Sequence, residues 1–376
     1  MGRGRCEKSL KKGKAMKQRL IITGMLAGLV VPLWIVGDWR GLGPLLSEFP
    51  PLTQYVEHAP FSPFIFFVFM LLGVGAALVL IRPGWFGFKR SSPPDSPVFS
   101  RMPLWGWGGL VLIIVFWILA WGRFDWLPDA IKENTFFPLW LGYILTMDGL
   151  RYRRTGNSLL SRSPRLFVAL FPASALAWWY FEFVNRFVQN WWYAGVEDYS
   201  ALRYVVMATL SFSTVFPAIF TTRDWLSSFP WFKAVYSNGP RWRAWSRPEV
   251  AGWFFAGIGL LGLTAWMPVP LFFMIWLAPL MVVATGLALA GVPSPFTDLK
   301  RGDYHMLFTL ALAALICGFF WEMWNIFSMP KWHYSIPYAQ ALHVFEMPLP
   351  GYAGYLPFGP ICWCMWLGMK RLLSTG

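Results

Sequence analysis

The chain has 376 residues, of which 56 % are hydrophobic and 13 % charged, against roughly 25 % charged in a soluble globular domain. That composition fits lipid as the solvent and excludes a conventional soluble enzyme. The formal net charge of +14 raises the question of an anionic partner, which the placement of the charges along the chain answers.

Residues 1–19, MGRGRCEKSLKKGKAMKQR, form a basic tail, and the apolar run LIITGMLAGLVVPLWIVG follows. A basic stretch before an apolar one, without a small-residue cleavage site, reads as a retained signal anchor with a cytoplasmic N-terminus. A span needs about 20 apolar residues. On that measure an all-α polytopic membrane protein of ten transmembrane helices is predicted, at 20–37, 61–81, 104–122, 136–150, 166–185, 202–222, 250–268, 270–291, 306–327 and 349–368. With the N-terminus inside, the outer segments hold only Arg40, Arg123, Lys132, Arg186, Arg203 and Lys331 of the 32 Lys and Arg. The positive-inside rule predicts this asymmetry. The net charge therefore belongs to the inner face, both termini are expected in the cytoplasm, and no nucleic-acid partner is implied. A helical bundle of this kind belongs in a plasma membrane, the inner membrane of a bacterial cell. The bilayer is its expected partner; protein partners are not specified.

Residues 223–249 form the longest inner loop. Its interleaved Arg and Trp are expected at headgroup depth. GIGLLG, residues 257–262, has the letters of a dinucleotide fingerprint but no strand before it, so it reads as helix-packing glycine. Cys6, Cys317, Cys362 and Cys364 include no C-x-x-C pair, so neither a disulfide framework nor a metal site is expected, and no cofactor. His58 and His305 are isolated. Asp148, near the inner end of its span, is expected to pair with Arg151 or Arg154 one turn on.

Sliding the chain against itself by 140 residues aligns Glu182 with Glu322, Asn185 with Asn325, Phe187 with Phe327 and Trp192 with Trp332. Ala201, Leu202, Met207 and Pro217 then meet Ala341, Leu342, Met347 and Pro357. A parallel internal repeat of three helices follows. The chain divides into the cytoplasmic tail 1–19, a three-span region 20–135, repeat one at 136–222, the cytoplasmic interfacial loop 223–249 and a linking span 250–269. Repeat two at 270–368 and a cytoplasmic tail 369–376 complete it. Substrate sites in repeated membrane folds often lie between the copies.

Glu and Asn three residues apart share a helix face, and a carboxyl group inside a span is a functional-site candidate. Glu182, Glu322 and Glu346 are the candidate catalytic acids. Asn185 and Asn325, near the outer ends of their spans, and Trp192, Trp332, Tyr334, His333, His343 and Arg203 of the outer loops are candidate binding residues. The prolines and glycines of EMPLPGYAGYLPFGP, residues 346–360, predict an interrupted last helix, whereas Ser and Thr satisfy the backbone locally in ATLSFSTVFPAI, residues 208–219. No P-loop lysine, H-E-x-x-H, G-x-S-x-G or H-x-x-x-H run is present. The remaining chemistry uses carboxylates, amides and aromatic rings.

The strings WWYFEFVNRFVQNWWY and FFWEMWN, KWHYSIP and FEMPLPGYAGYLPF resemble a family of bacterial multi-pass membrane proteins of uncharacterised activity, over most of 136–368. The chain also remotely resembles the integral-membrane lycopene cyclase domain, at Glu322, Trp332, Tyr334, Glu346 and Pro348. That resemblance implies membrane carboxylates protonating a lipidic polyene or isoprenoid, with Trp332 and Tyr334 stabilising a cation. The expected function is an enzyme acting on a lipidic molecule by carboxylate acid/base chemistry at the outer face. A transporter and a non-catalytic scaffold are the alternatives.

Overall fold

The computed structural model describes residues 2–50, 54–92, 99–122 and 124–373, and within the first helix the side chains from Ala15 onward. It is mostly helical. Eleven helices carry the architecture: α1 (Gly2–Trp39), α2 (Pro63–Ile81), α3 (Leu104–Gly122), α4 (Phe136–Thr155), α5 (Pro164–Val188), α6 (Ala201–Phe212), α7 (Val215–Leu226), α8 (Arg247–Trp266), α9 (Met274–Leu289), α10 (His305–Asn325) and α11 (Tyr355–Leu373). Two short strands, β1 (Trp191–Ala194) and β2 (Lys331–Tyr334), form an antiparallel ribbon.

Seven segments are long and apolar enough to cross a membrane: 15–39, α2, α3, α5, the α6–α7 pair, α8 and α10. The other three expected spans are helical over most of their length but fall short by this measure. α9 has 16 residues, because Pro268 and Pro270 delay its start to Met274. α4 ends in Arg151, Arg153 and Arg154, which lower its apolar content. The segment predicted at 349–368 opens as a 3-10 turn, Leu349–Gly354, before α11 begins at Tyr355. Large side chains such as Leu104, 88 % exposed, and Phe64, 77 % exposed, would be a heavy load of surface hydrophobicity in water and suit acyl chains instead.

One contiguous core runs through the bundle. Leu33, Trp140, Val184, Ile219, Leu261, Val282, Leu310 and Ile361 are fully buried in it. Lipid tails are as apolar as leucine, so helices in a bilayer are held by close approach, which small residues permit. A side chain on Gly109 of α3 would stand 2.7 Å from the Gly142 carbonyl of α4, and one on Gly142 would stand 2.7 Å from the Gly109 carbonyl. In the GIGLLG run, Gly257 of α8 lies against Val282 of α9 and Gly262 against Pro32 of α1, the packing role expected of it. α2 is the outlier, with Phe66 its one buried residue; Gly73 brings it onto Ala353 of the 3-10 turn.

The α6–α7 boundary is stitched by side chains. Ser174 of α5 donates to the Phe212 carbonyl at 2.6 Å and accepts from the Phe216 N–H at 3.0 Å. Ser211, Ser213 and Thr214 donate to carbonyls one turn back, as Ser and Thr do within helices. At the other end of α4 the expected pairing of Asp148 with Arg151 or Arg154 does not occur. The chain reverses at Gly156 (φ 71°), so the helix Leu159–Arg162 folds back, and Asp148 accepts from Ser158 Oγ (2.6 Å), the Leu160 N–H (3.0 Å) and Trp105 Nε1 (3.1 Å). Residues 223–249 are partly drawn into the protein: Tyr236 is buried, and Phe88 and Phe308 meet its ring edge to face, while Trp231, Trp242 and Trp245 stay exposed.

Candidate functional site: a ribbon-capped apolar cavity

The site is built where α5 and α10 end. Each helix carries an Asn in its last turn, Asn185 and Asn325, and both side chains are fully buried. Asn185 Nδ2 donates to the Trp191 carbonyl (2.8 Å), and its Oδ1 accepts from the Asn190 N–H (2.8 Å). Asn325 Nδ2 donates to the Trp332 carbonyl (2.7 Å), and its Oδ1 accepts from the Trp332 N–H (3.0 Å). A buried backbone group needs a partner, and an amide side chain offers a donor and an acceptor together. The two Asn thus fix where the chain leaves each helix and enters its strand.

The strands pair Trp191 with Tyr334, Trp192 with His333, Tyr193 with Trp332 and Ala194 with Lys331. Side chains alternate along a strand, which sorts the residues onto two faces. Trp191, Tyr193, Trp332 and Tyr334 face inward. Trp192 and His333 face away and stack with ring centroids 4.8 Å apart.

Behind the inward face lie the two carboxyl groups, both fully buried. Glu182 Oε1 accepts from Trp178 Nε1 (3.0 Å), Trp191 Nε1 (3.1 Å) and the Tyr193 hydroxyl (2.6 Å). Glu322 Oε1 accepts from the hydroxyls of Tyr334 (2.7 Å) and Tyr355 (2.6 Å). The second oxygen of each has no hydrogen-bond partner among the described residues.

In front of the ribbon is a cavity of about 610 Å³, within the range of small-molecule sites. Trp178, Trp276, Trp321 and Phe358 line one part, and Phe69, Leu72 and Ala76 of α2 another. Its polar lining includes Glu133, Asn134 and Lys331 as well as the phenols Tyr193, Tyr334 and Tyr355. Glu182 and Glu322 do not line it. They reach it through the phenols that donate to them.

The other candidate residues distribute around this centre. Trp332 and Tyr334 line the cavity, and Trp332 Nε1 donates to the Tyr334 hydroxyl at 3.0 Å. Glu346 stands beside it, accepting from Lys331 Nζ (2.5 Å) and paired with His333 Nδ1 (3.1 Å). Burial pushes its carboxyl up, but Lys331 and His333 outweigh that and hold it below the ordinary value. Arg203 is ion-paired with Glu133 and lies over the Tyr199 ring at 4.0 Å. Burial and Glu133 push the Tyr199 hydroxyl up to about 12. His343 is exposed and bonds Gln340 (2.9 Å). Neither it, Arg203 nor Trp192 lines the cavity. Among the described residues no group of three or more His, Cys, Asp or Glu could hold a metal ion, and Cys317, Cys362 and Cys364 are free and buried.

Sequence reasoning passed over Tyr355, Trp178, Trp191, Lys331 and Glu133. Trp178 is one helical turn before Glu182, a spacing that places the two on one face. Tyr355 comes from the neighbouring helix, and its ring lies over Gly318, one turn before Glu322. A glycine four residues before a buried acid is the available signal. Comparison with protein-family models, characterised proteins and solved structures gives no match to this chain.

Proposed function

We propose that the protein binds a lipidic molecule in the ribbon-capped cavity and acts on it by proton transfer through phenol–carboxyl pairs. The observation that carries this reading is an apolar cavity of about 610 Å³ lined by three phenols, Tyr193 and Tyr334 of the ribbon and Tyr355 of α11, each anchored on a buried carboxyl group. Such a cavity suits an acyl or isoprenoid chain, and aromatic faces stabilise positive charge developing on it. Tyr334 or Tyr355 gives a proton to the substrate, with Glu322 as the proton reservoir behind them. Glu182 takes the Tyr193 hydroxyl proton as that oxygen removes one from another carbon, so that the substrate is isomerised with no net change in atoms, and proton exchange that returns Glu182 to the carboxylate and Glu322 to the acid completes the cycle. Acid/base groups of this kind contribute about 10²–10⁴-fold in rate.

This reading includes the finer architecture: ten spans, the parallel repeat at an offset of 140, and the ribbon at the outer face of the plasma membrane, both termini inside. Several registers support the repeat. α7 begins at Val215 and α11 at Tyr355, an offset of 140. The same offset carries the pair Trp192–His333 onto Trp332–Tyr193, and Trp191–Tyr334 onto Lys331–Ala194, as a local twofold requires. Position 178 holds Trp where 318 holds Gly; the Trp178 indole donates to Glu182 in one copy, and the Tyr355 phenol covers Gly318 and donates to Glu322 in the other.

The test is mass spectrometry of total lipid and pigment extracts from wild type, a deletion, and deletions complemented with wild-type or Glu322→Gln protein. One lipid accumulating in the deletion, and cleared only by the wild-type gene, supports the reading. A second reading, a lipid or small-molecule carrier, is favoured by the interruptions at 213–214 and 349–354, which resemble discontinuous transporter helices. Proton-gradient-dependent uptake into proteoliposomes, with unchanged lipid extracts, would replace the enzyme by the carrier.

A further inference from the structure

The end of the bundle opposite the ribbon carries a second polar cluster. α10 is 21 residues long, about 30 Å at 1.5 Å per residue, and the cluster packs near its first residue, His305, far from Glu322. Arg151 of α4, Arg162 of the helix Leu159–Arg162 and Arg223 of α7 gather around a single buried carboxylate, Asp224. Asp224 is committed to Arg162, whose Nη2 lies 3.0 Å from Oδ2. Arg151 Nε and Arg223 Nη1 stand at 3.9 and 4.0 Å, beyond hydrogen-bond reach. Among the described residues the Arg151 guanidinium makes one hydrogen bond, from Nη1 to the Asp224 carbonyl (3.2 Å). The Nε atoms of Arg151 and Arg223 are buried without a hydrogen-bond partner among the described residues, as is Nε2 of His305. His305 is within electrostatic reach of Arg223, Lys233 and Asp303.

The nearby acids do not complete the balance. Asp148 is taken by Ser158, Leu160 and Trp105, and Asp303 by the His305 N–H (2.9 Å) and Ser237 (3.3 Å). Arg154 is occupied by Ser228 Oγ (2.8 Å) and the Phe229 ring, 3.6 Å away. The guanidinium groups of Arg151 and Arg223, with side chains 15 % and 19 % exposed, thus share Asp224 only at ion-pair distance, without a hydrogen bond to its carboxylate, and Arg223 also lies 5.7 Å from the Trp363 ring. A half-buried cation is costly unless paired and hydrogen-bonded, and the guanidinium fork matches the oxygens of a phosphate.

We propose that Arg151, Arg162 and Arg223 form a binding site for one phosphate group, from an anionic phospholipid headgroup or as free phosphate. Asp224 orders the three arginines and competes with the ligand for them. Should this end face the cytoplasm, as the positive-inside reading has it, anionic lipid is abundant beside it. The site does not depend on the chemistry proposed for the cavity.

Native mass spectrometry of the full chain in a nonionic detergent tests this, with phosphatidylglycerol, phosphatidylcholine and inorganic phosphate as probes. The expected result is retention of one phosphatidylglycerol in preference to phosphatidylcholine, or of one phosphate, weakened roughly tenfold or more in Arg223→Gln and unchanged in Arg241→Gln on the exposed loop. Retention of phosphatidylglycerol that excess phosphate does not displace assigns the headgroup; retention of phosphate alone assigns the free ion. Should Arg223→Gln not fold, Arg162→Gln at the rim is expected to weaken binding and Asp224→Asn to tighten it, opposite shifts that misfolding cannot mimic. Equal retention of both lipids with no phosphate bound, or binding indifferent to these substitutions, overturns the proposal.

Discussion

Replacing Asn325 by Ala should unlatch the ribbon without disturbing the helices. The side chain makes two hydrogen bonds to one residue, the Trp332 carbonyl at 2.7 Å and the Trp332 N–H at 3.0 Å, and is fully buried. Each bond contributes about 1 kcal/mol net, and a buried group left unpaired costs about 1–3 kcal/mol. Partial rescue by water brings the expected loss to about 2–3 kcal/mol, which is roughly 30- to 150-fold in a local opening constant. Hydrogen exchange over 331–334 in detergent reads this directly, with α8 as the internal control. Asn325→Asp keeps the acceptor but sets an oxygen against the Trp332 carbonyl, so it should open the ribbon at least as far. Asn185→Ala should do the same at β1. Because β1 and β2 share their ladder, the double variant should lose less than the sum of the two. Exchange over 331–334 within twofold of wild type in Asn325→Ala would refute the latch.

Gly318→Leu should displace the Tyr355 ring from Glu322, and Tyr355→Phe should remove the same hydrogen bond without added bulk; both are expected to lower turnover of the accumulating lipid at least tenfold, while Tyr199→Phe leaves it unchanged. Gly142→Leu should force α3 off α4 by filling the space against the Gly109 carbonyl, a cost of at least about 1–3 kcal/mol, seen as a lower melting temperature in detergent.

The hydropathic helices were readable because lipid imposes length and composition together: α2 and α3 each span 19 residues without one charged side chain. The interruption before α11 was readable from Pro348, Pro350 and Gly351, which remove backbone donors or break the helix, whereas the break between α6 and α7 was not: the Ser and Thr of 211–214 read as satisfying a continuous helix at 202–222. The short α9 was harder, because Pro268 and Pro270 lie inside an apolar run that hydropathy alone extends. Asp148 was misassigned because a helical turn to Arg151 is visible in sequence while the fold-back after Gly156 is not. The buried Glu and Asn stood out as polar residues in an apolar context. What surrounds them did not: Tyr355 reaches Glu322 across 33 positions, and Arg203 and His343, although polar and near in sequence, are drawn to Glu133 and Gln340. Tertiary partners of this kind carry no periodicity.

The central claim, that Glu322 and its phenols do chemistry on a lipid, is tested most directly by comparing lipid and pigment extracts of the deletion complemented with wild-type, Glu322→Gln and Tyr355→Phe protein, each confirmed in the membrane at equal level. One lipidic compound that accumulates in the deletion, disappears with wild type and persists with both variants is the result expected. Extracts that match in all strains, or variants that clear the compound as fast as wild type, would contradict the account and leave the buried carboxyl group as a structural tie between α10, α11 and the ribbon.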